Sequence, residues 1–93
     1  MALLFEWDTE KAHSNAQKHG VTFDEASTAF RDALSVTIPD PLHSEDEDRF
    51  VLLGHSHRER LLVIVHTYRN HRVRLISARP ATKREHRHHE NNA

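Results

Sequence analysis

The 93-residue sequence contains no cysteine and no apolar run that approaches the length of a membrane-spanning helix. Without cysteine, the chain has no disulfide and no thiolate chemistry. A helix needs roughly 20 apolar residues to cross a bilayer, so the sequence argues against a transmembrane class. The first residues also lack the basic flank and length of a secretory signal peptide. We therefore expect one cytoplasmic domain over residues 1–93, with a modest core.

Acidic and basic residues are unevenly distributed along the chain, although the formal net charge is only −1. Residues 1–48 contain 3 Lys/Arg against 11 Asp/Glu, whereas residues 69–93 contain 7 against 2, together with four of the ten histidines. The basic end suits a polyanion or an acidic partner. The two halves could equally neutralise each other in the fold, because net charge carries no information about fold.

The strongest strand signal is the continuous aliphatic segment Leu61–Val65. A turn at Asn70 and His71 would join it to a second strand, Arg72–Arg79, and form a hairpin. If the turn has two residues, the pleat divides the side chains between two faces, and a longer turn would shift this pairing. One face would then carry Tyr68, Ser77 and Arg79, and the other Arg69, Arg72 and Arg74.

The remaining segments predict two early helices, two further strands and a last helix. The first helix is expected over Thr9–His19, with Asp8 as N-cap and Gly20 after its end. The other expectations are a strand or docked arm at Leu3–Trp7, a helix that starts at a Thr22–Glu25 capping box and ends near Asp32–Leu34, strands Leu34–Ile38 and Arg49–His55, an acidic loop Asp40–Asp48, and a helix from Ala81 to about Glu90 with Pro80 at its first position. This order predicts an α+β domain with an antiparallel sheet.

Several strings along the chain together resemble one protein family. They include Phe5-Glu6-Trp7-Asp8, Lys18-His19-Gly20-Val21, Glu47-Asp48-Arg49 and Arg74-Leu75-Ile76-Ser77-Ala78-Arg79. From Leu3 to about Glu85, the chain closely resembles the BrnT family, the toxins of BrnT–BrnA type II toxin–antitoxin systems. The resemblance implies a RelE-like fold and ribonuclease activity that blocks translation in a bacterium. It also implies a BrnA-type antitoxin, operator DNA binding only through the antitoxin complex, and a homodimer within a heterotetramer.

RNA cleavage without a metal requires a base, an acid and cations that stabilise the extra charge on the phosphate. The family strings point to Arg79, Arg49, Lys18 and His19 as catalytic candidates, and arginine suits the phosphate because its fork matches two oxygens. The candidates for RNA binding are Arg69, Tyr68, Arg72, Arg74 and Lys11. Trp7 could also stack on a base, although a small domain usually buries its single tryptophan.

Three of the four catalytic candidates also have a structural alternative. Arg79 could form a salt bridge with an early carboxylate such as Glu6 or Asp8, and Arg49 could pair with Glu47 or Asp48. A histidine such as His19 at a helix C-terminus stabilises the helix dipole. We expect no metal and no cofactor, because His86, His88 and His89 have no cysteine or clear carboxylate partner in the sequence.

The sequence is also compatible with two alternatives to an active ribonuclease toxin. The pair of helices around Gly20 resembles a helix-turn-helix, which would make the chain a non-catalytic DNA-binding module. Its second helix carries Asp24, Glu25 and Asp32 against Arg31, which is the wrong charge for a DNA groove. The other alternative is a degenerate toxin that only binds its antitoxin.

Overall fold

The structure is a computed structural model that describes residues 3–40 and 48–92. The elements in chain order are β1 (Phe5–Glu6), α1 (Thr9–His19), α2 (Phe23–Thr28), β2 (Val36–Pro39), β3 (Arg49–His55), β4 (Leu61–Arg69), β5 (Arg72–Pro80) and α3 (Lys83–Asn92). Within these residues, the strands form one sheet in the order β1-β5-β4-β3-β2. β1 runs parallel to β5, and every other pair is antiparallel.

This arrangement confirms the predicted α+β class, with an N-terminal strand, two helices, a largely antiparallel sheet and a C-terminal helix. Most of the predicted acidic loop, residues 41–47, lies outside the described residues. In the described part of the chain, no helix has the length and apolar character needed to cross a membrane.

The first helix has the boundaries that its capping residues predict. Asp8 accepts hydrogen bonds from the backbone N–H groups of Glu10 and Lys11, which have no partner inside the helix. At the other end, Gly20 adopts a left-handed conformation with φ of 69° and donates its N–H to the Ala16 carbonyl. A left-handed residue at this position favours glycine, because other side chains clash there.

The hydrophobic core lies between the sheet and helices α1 and α2. We call the sheet face on this side the inner face and the opposite face the outer face. The buried residues of the core are Val21, Phe23, Ala26, Ala29, Leu52, Leu62, Ile64, Val73, Leu75 and Ala78. Trp7 packs against this core, with its ring centroid 5.9 Å from that of Phe23 in an edge-to-face contact. This placement favours a packing role for the tryptophan.

The β4–β5 hairpin has the predicted two-residue turn. Asn70 and His71 both have positive φ, 51° and 65°, as a type I′ turn requires. Arg69 pairs with Arg72 on either side of this turn. The backbone twist of a type I′ turn matches the twist of the two strands. The turn therefore determines the register of β4 against β5 for the residues next to it.

Further along the hairpin, the predicted pairing is wrong because of a β-bulge. The register of β4 against β5 shifts by one residue beside Val65, and Ile76 is the extra residue. Since side chains alternate along a strand, one extra residue reverses the faces of all that follow. Ser77 and Arg79 therefore lie on the outer face, and not on the inner face with Tyr68 as the simple register predicts.

The second helical segment is shorter than predicted, and its capping box is only half formed. α2 gives way to a 3-10 turn, Ala29–Arg31. The hydroxyl of Thr22 accepts the N–H of Glu25 at 3.1 Å, but the Glu25 carboxylate turns inward. There it accepts hydrogen bonds from Arg60 Nε (2.9 Å) and the Ser56 hydroxyl (2.7 Å). The bond from Arg60 is the main reason that the pKa of Glu25 falls to about 2.

Strand β2 begins two residues later than predicted, at Val36 instead of Leu34. The Asp32 carboxylate accepts the N–H of Leu34 at 3.0 Å, and the Asp32 carbonyl accepts the N–H of Ser35. These bonds form a local turn that competes with the extended conformation. The strand then ends at Pro39, close to its predicted end.

The start of the last helix also differs from the prediction. Pro80 is the last residue of β5, and α3 begins at Lys83. Thr82 and Glu85 form a reciprocal capping box: the Thr82 hydroxyl accepts the N–H of Glu85 at 3.2 Å, and Glu85 Oε1 accepts the N–H of Thr82 at 2.8 Å. This pair has the sequence spacing of a capping box, and it outweighs the preference of proline for a first helical position.

A buried side-chain amide joins α1 to the open edge of β5. Beyond the short pairing with β1, the Ala78 carbonyl accepts a hydrogen bond from Asn15 Nδ2 at 2.8 Å. The Ala78 N–H donates to Asn15 Oδ1 at 3.1 Å, and Asn15 Nδ2 also donates to the Val21 carbonyl at 3.0 Å. The carboxamide thus satisfies both backbone groups that a neighbouring strand would otherwise bind.

We predict that Asn15→Ala lowers the free energy of unfolding by roughly 2–4 kcal/mol, because it leaves buried backbone groups without partners. Asn15→Asp should destabilise at least as much at neutral pH, since it directs a carboxylate at two carbonyl oxygens. The measurement is chemical denaturation, with the exposed Gln17→Ala on the same helix as control. An Asn15→Ala variant as stable as the control would contradict the bridging role.

Candidate nucleic-acid interface

Four of the predicted site residues lie together at one end of the outer face. They come from the start of β3, the end of β4 and the start of β5, which meet because these strands are antiparallel. Arg69 pairs with Arg72, Thr67 pairs with both Arg49 and Arg74, and the pleat directs these side chains to the outer face. We call Arg49, Arg69, Arg72 and Arg74 the arginine cluster.

Arg74 is held in place by a carboxylate of the neighbouring strand. Its Nη1 donates to Glu6 Oε2 at 2.7 Å, and both side chains are about one-quarter exposed. Strand β1 pairs Glu6 directly with Arg74, so the parallel pairing brings the two charges together. Arg72 is exposed and forms no ion pair within residues 3–40 and 48–92, so its guanidinium can reach an anion from solvent.

A cleft between α1 and β5 brings together three more of the predicted residues. Lys11, Lys18 and His19 line it, together with Asp8, Glu10, Ser14, Asn15, Ile76 and Ser77. It has a volume of about 420 Å³ and opens widely to solvent. Lys11 and Lys18 lie two turns apart on one side of α1, as their spacing predicts. We call this site the lysine cleft.

The lysine cleft and the arginine cluster meet at β5. Ser77 lines the cleft and lies on the outer face, three residues after Arg74 along the bulged strand. No chemical pattern in the sequence selects Ser77, because its predicted face is the inner one. The bulge at Ile76 places Ser77 on the outer face, where it lines the cleft together with Lys11 and Lys18.

Arg79, a leading catalytic candidate, forms a bidentate ion pair. Its Nη1 and Nη2 donate to the two carboxylate oxygens of Glu85 at 2.8 and 2.9 Å. This geometry places the pKa of Glu85 at about 2, mainly through the bond from Arg79. The sequence leaves open a salt bridge from Arg79 to Glu6 or Asp8. Arg79 does form a salt bridge, but the predicted partner is wrong. Arg79 instead joins the end of β5 to the first turn of α3.

Tyr68 is separated from the arginine cluster by the sheet. It lies on the inner face and is 57% exposed, at the end of a ring cluster with Phe50 and His66. Its ring centroid is 5.4 Å from Phe50 and 5.5 Å from His66. The exposed ring still offers a surface on which a base could stack. The side chain of the next residue, Arg69, lies on the opposite face of the sheet, so the two do not form one surface.

His66 lies in the core. The sequence pattern of β4 does not show whether this histidine is buried or exposed. It is fully buried, with its ring centroid 4.9 Å from that of Phe30. Burial lowers the pKa of His66, so the ring favours the neutral form. This histidine contributes to packing and lies away from the lysine cleft.

The apolar end of the outer face forms a groove beside α3. Its lining combines aliphatic strand residues with polar residues of the helix: Val36, Ile38, Val51, Leu53, Val63, Thr82, Arg84, Glu85, His88 and His89. The groove has a volume of about 710 Å³. Val36 and Ile38 are 42% and 55% exposed, which is unusual for large aliphatic side chains and is typical of an interaction site.

The fold and the clustered cations define a small α+β protein with a basic sheet face, a class suited to nucleic acid. The profile of the family described as "Ribonuclease toxin, BrnT, of type II toxin-antitoxin system" matches residues 7–85. The chain therefore belongs to the BrnT family of ribonuclease toxins, whose members act with an antitoxin. The match confirms the resemblance seen in the sequence.

A solved structure supports the same fold. The crystal structure of the Brucella abortus ribonuclease toxin BrnT, determined at 1.1 Å resolution, superposes with a TM-score of 0.66. The alignment covers 88% of this chain and all of the Brucella chain, at 20% sequence identity. A search of curated proteins found no match.

Proposed function

We propose that the protein is a metal-independent endoribonuclease that inhibits translation in the cytoplasm and is neutralised by a BrnA-type antitoxin. The observation that carries the proposal is the junction of the arginine cluster with the lysine cleft along β5. A backbone of RNA laid over this junction meets cations from one sheet face and one helix. Family membership supports the same activity.

The proposed chemistry divides the work between the two groups of cations. Arg49 and Arg72 bind phosphate oxygens, since their guanidinium groups form paired hydrogen bonds and stay charged. Lys18 and His19 lie in the lysine cleft and are the proposed proton donor and acceptor of the reaction. A 2′-hydroxyl that enters the cleft loses its proton to one of these two groups, and its oxygen forms a bond to the adjacent phosphorus. The bond from phosphorus to the 5′-oxygen breaks, and the 5′-oxygen takes a proton from the other group.

The DNA-binding alternative has less support from the packing. In its would-be recognition helix, Phe23, Glu25 and Ala26 are buried against the rest of the domain. The regular helix has only six residues, and the Glu25 side chain is bound to Arg60. Operator DNA is therefore proposed to bind only through the antitoxin complex, in which two toxin chains form a homodimer within a heterotetramer.

We predict that the purified toxin cleaves RNA in the presence of EDTA, because the proposed reaction uses only protein groups. Arg72→Ala should reduce cleavage by about 10–100-fold, because it removes a hydrogen-bonded contact to a charged phosphate. Arg31→Ala, an exposed arginine next to α2 on the helix side, is the matched control and should retain activity. If EDTA abolishes cleavage and a divalent metal restores it, the metal-free mechanism is wrong.

Arg79 gives a sharper test, because its ion pair with Glu85 separates two roles. If Arg79 stabilises the transition state, Arg79→Ala reduces cleavage by about 10²–10³-fold, and Arg79→Lys fails nearly as badly, because a point charge cannot replace the fork. Glu85→Gln, which frees the guanidinium, then preserves cleavage. The measurements are RNA cleavage and thermal unfolding of toxin purified with its antitoxin and then released.

The opposite pattern would assign Arg79 a purely structural role. In that case Arg79→Ala and Glu85→Gln lower the melting temperature by similar amounts, since each removes one half of the same ion pair. Cleavage would then fall only to the extent that each variant unfolds. A folded and fully active Arg79→Ala protein removes Arg79 from the catalytic site.

We further propose that the antitoxin binds the strand-rich half and covers the basic end. The exposed Val36 and Ile38 supply apolar contact area in the groove, and the net charge of residues 69–93 attracts acidic segments. Ile38→Asp should therefore weaken the complex by at least tenfold without unfolding the toxin. Leu3→Asp, at an exposed leucine before β1, is the control.

Hydrogen exchange of the toxin with and without its antitoxin measures the same surface directly. Protection is expected in β2, β3 and β5. Protection restricted to residues 9–33 would place the antitoxin on the helices and refute this arrangement.

A further inference from the structure

Three side chains with metal-binding atoms converge where the 3-10 turn, β3 and α3 meet. They are Asp32, just after the 3-10 turn, His55, the last residue of β3, and His89, in the last turn of α3. One ligand atom from each side chain can be chosen so that all three lie within 4.8 Å of one another. These residues are 23 and 34 positions apart, so no local sequence motif marks the group.

We propose that Asp32, His55 and His89 bind one divalent transition-metal ion, best Zn²⁺, which fastens α3 to the sheet. Two imidazoles and one carboxylate are ligands that Zn²⁺ accepts, and a set of three leaves its fourth position for water. The site shares no residue with the lysine cleft or the arginine cluster. Its occupancy is therefore separate from the proposed metal-free cleavage.

The Asp32 carboxylate is already oriented by backbone groups. Oδ1 accepts the N–H of Leu34 at 3.0 Å, and Oδ2 accepts the N–H of His55 at 2.8 Å. Oδ2 also lies 3.4 Å from His55 Nδ1. Each carboxylate oxygen has a second lone pair, so these bonds fix the group without using all its acceptor capacity. Hydrogen-bonded carboxylates of this kind are typical of metal sites.

His89 supplies the independent observation that this cluster binds a ligand. Its side chain is buried, with 4% of its surface exposed, although most other residues of α3 are exposed. Its Nδ1 has no hydrogen-bond partner among the described residues, and its ring centroid lies 5.6 Å from that of His55. A buried nitrogen without a partner is costly, and a metal ion would satisfy it.

The distances require only a small adjustment to reach metal geometry. Zn²⁺ binds nitrogen at about 2.0–2.1 Å, which places the ligand atoms of a tetrahedral site roughly 3.4 Å apart. The existing separations of up to 4.8 Å therefore shrink by about 1.4 Å at most. The His55 side chain is 45% exposed and can rotate to make this change.

With a metal bound at this position, the last helix would be restrained at both of its ends. The Arg79–Glu85 ion pair holds the first turn of α3, and His89 lies near its end. A bond from the metal to His89 joins that end to β3 and to the turn at Asp32. The helix also forms one wall of the apolar groove, so the metal would fix the width of the proposed antitoxin site.

The test begins with tag-free protein that has been stripped with EDTA and dialysed. Titration with Zn²⁺, followed by native mass spectrometry, should show one tightly bound ion per chain. His55→Ala should weaken binding at least tenfold, and this variant should fold because nearly half of the side chain is exposed and the backbone N–H that binds Asp32 is kept. His86→Ala, an exposed histidine on the same helix, is the matched control and should bind as the wild type does.

Hydrogen exchange tests whether the ion restrains the helix. Zn²⁺ should slow amide exchange in residues 83–92 of the wild type and of His86→Ala, but not of His55→Ala. His89→Gln, which keeps a polar group but removes the imidazole, should also lose this protection.

The proposal is overturned if His55→Ala binds Zn²⁺ as tightly as the wild type, or if His86→Ala weakens binding equally. The second result would mean that exposed histidines bind the ion adventitiously. Binding without protection of α3 would also overturn it.

Discussion

The single extra residue at Ile76 determines how the second half of β5 meets the rest of the molecule. Without the bulge, Ala78 would point to the outer face and Arg79 into the helix layer. With it, Ala78 packs in the core beside α1, and its backbone groups bind Asn15. Arg79 is left on the outer face, where it can reach Glu85. The bulge therefore couples the closing of the sheet edge to the docking of the last helix.

The strand register also divides the outer face into two parts with different chemistry. The end next to the β4–β5 turn carries the arginine cluster, and the opposite end carries exposed aliphatic residues beside α3. Hydrophobic residues such as Val36 and Ile38 do not bind RNA well, whereas a protein segment can cover them. If the antitoxin binds as proposed, it gains affinity from apolar contacts in the groove while it blocks the neighbouring basic site.

The sequence predicted those parts of the fold that depend on local signals. Asp8, Gly20 and the Asn70-His71 turn act within a few residues, and the structure agrees at all three. The faces of Ser77 and Arg79 could not be predicted in the same way, because nothing in the local pattern of β5 marks the bulge. The partner of Glu25 could not be predicted either, because Arg60 lies 35 positions away in the sequence. The spacing of Thr82 and Glu85, by contrast, did contain a usable capping signal.

The candidate site follows the same physical rule. The arginines next to the hairpin turn were grouped correctly because their register is set locally, whereas the lysine cleft depends on the packing of α1 against β5. Asp32, His55 and His89 are the extreme case, since three separate elements bring them together. A search of the sequence for metal ligands finds the neighbouring histidines His86, His88 and His89, of which only His89 belongs to the proposed site. The ligands of the proposed metal site become visible only when the fold places the end of α3 against β3.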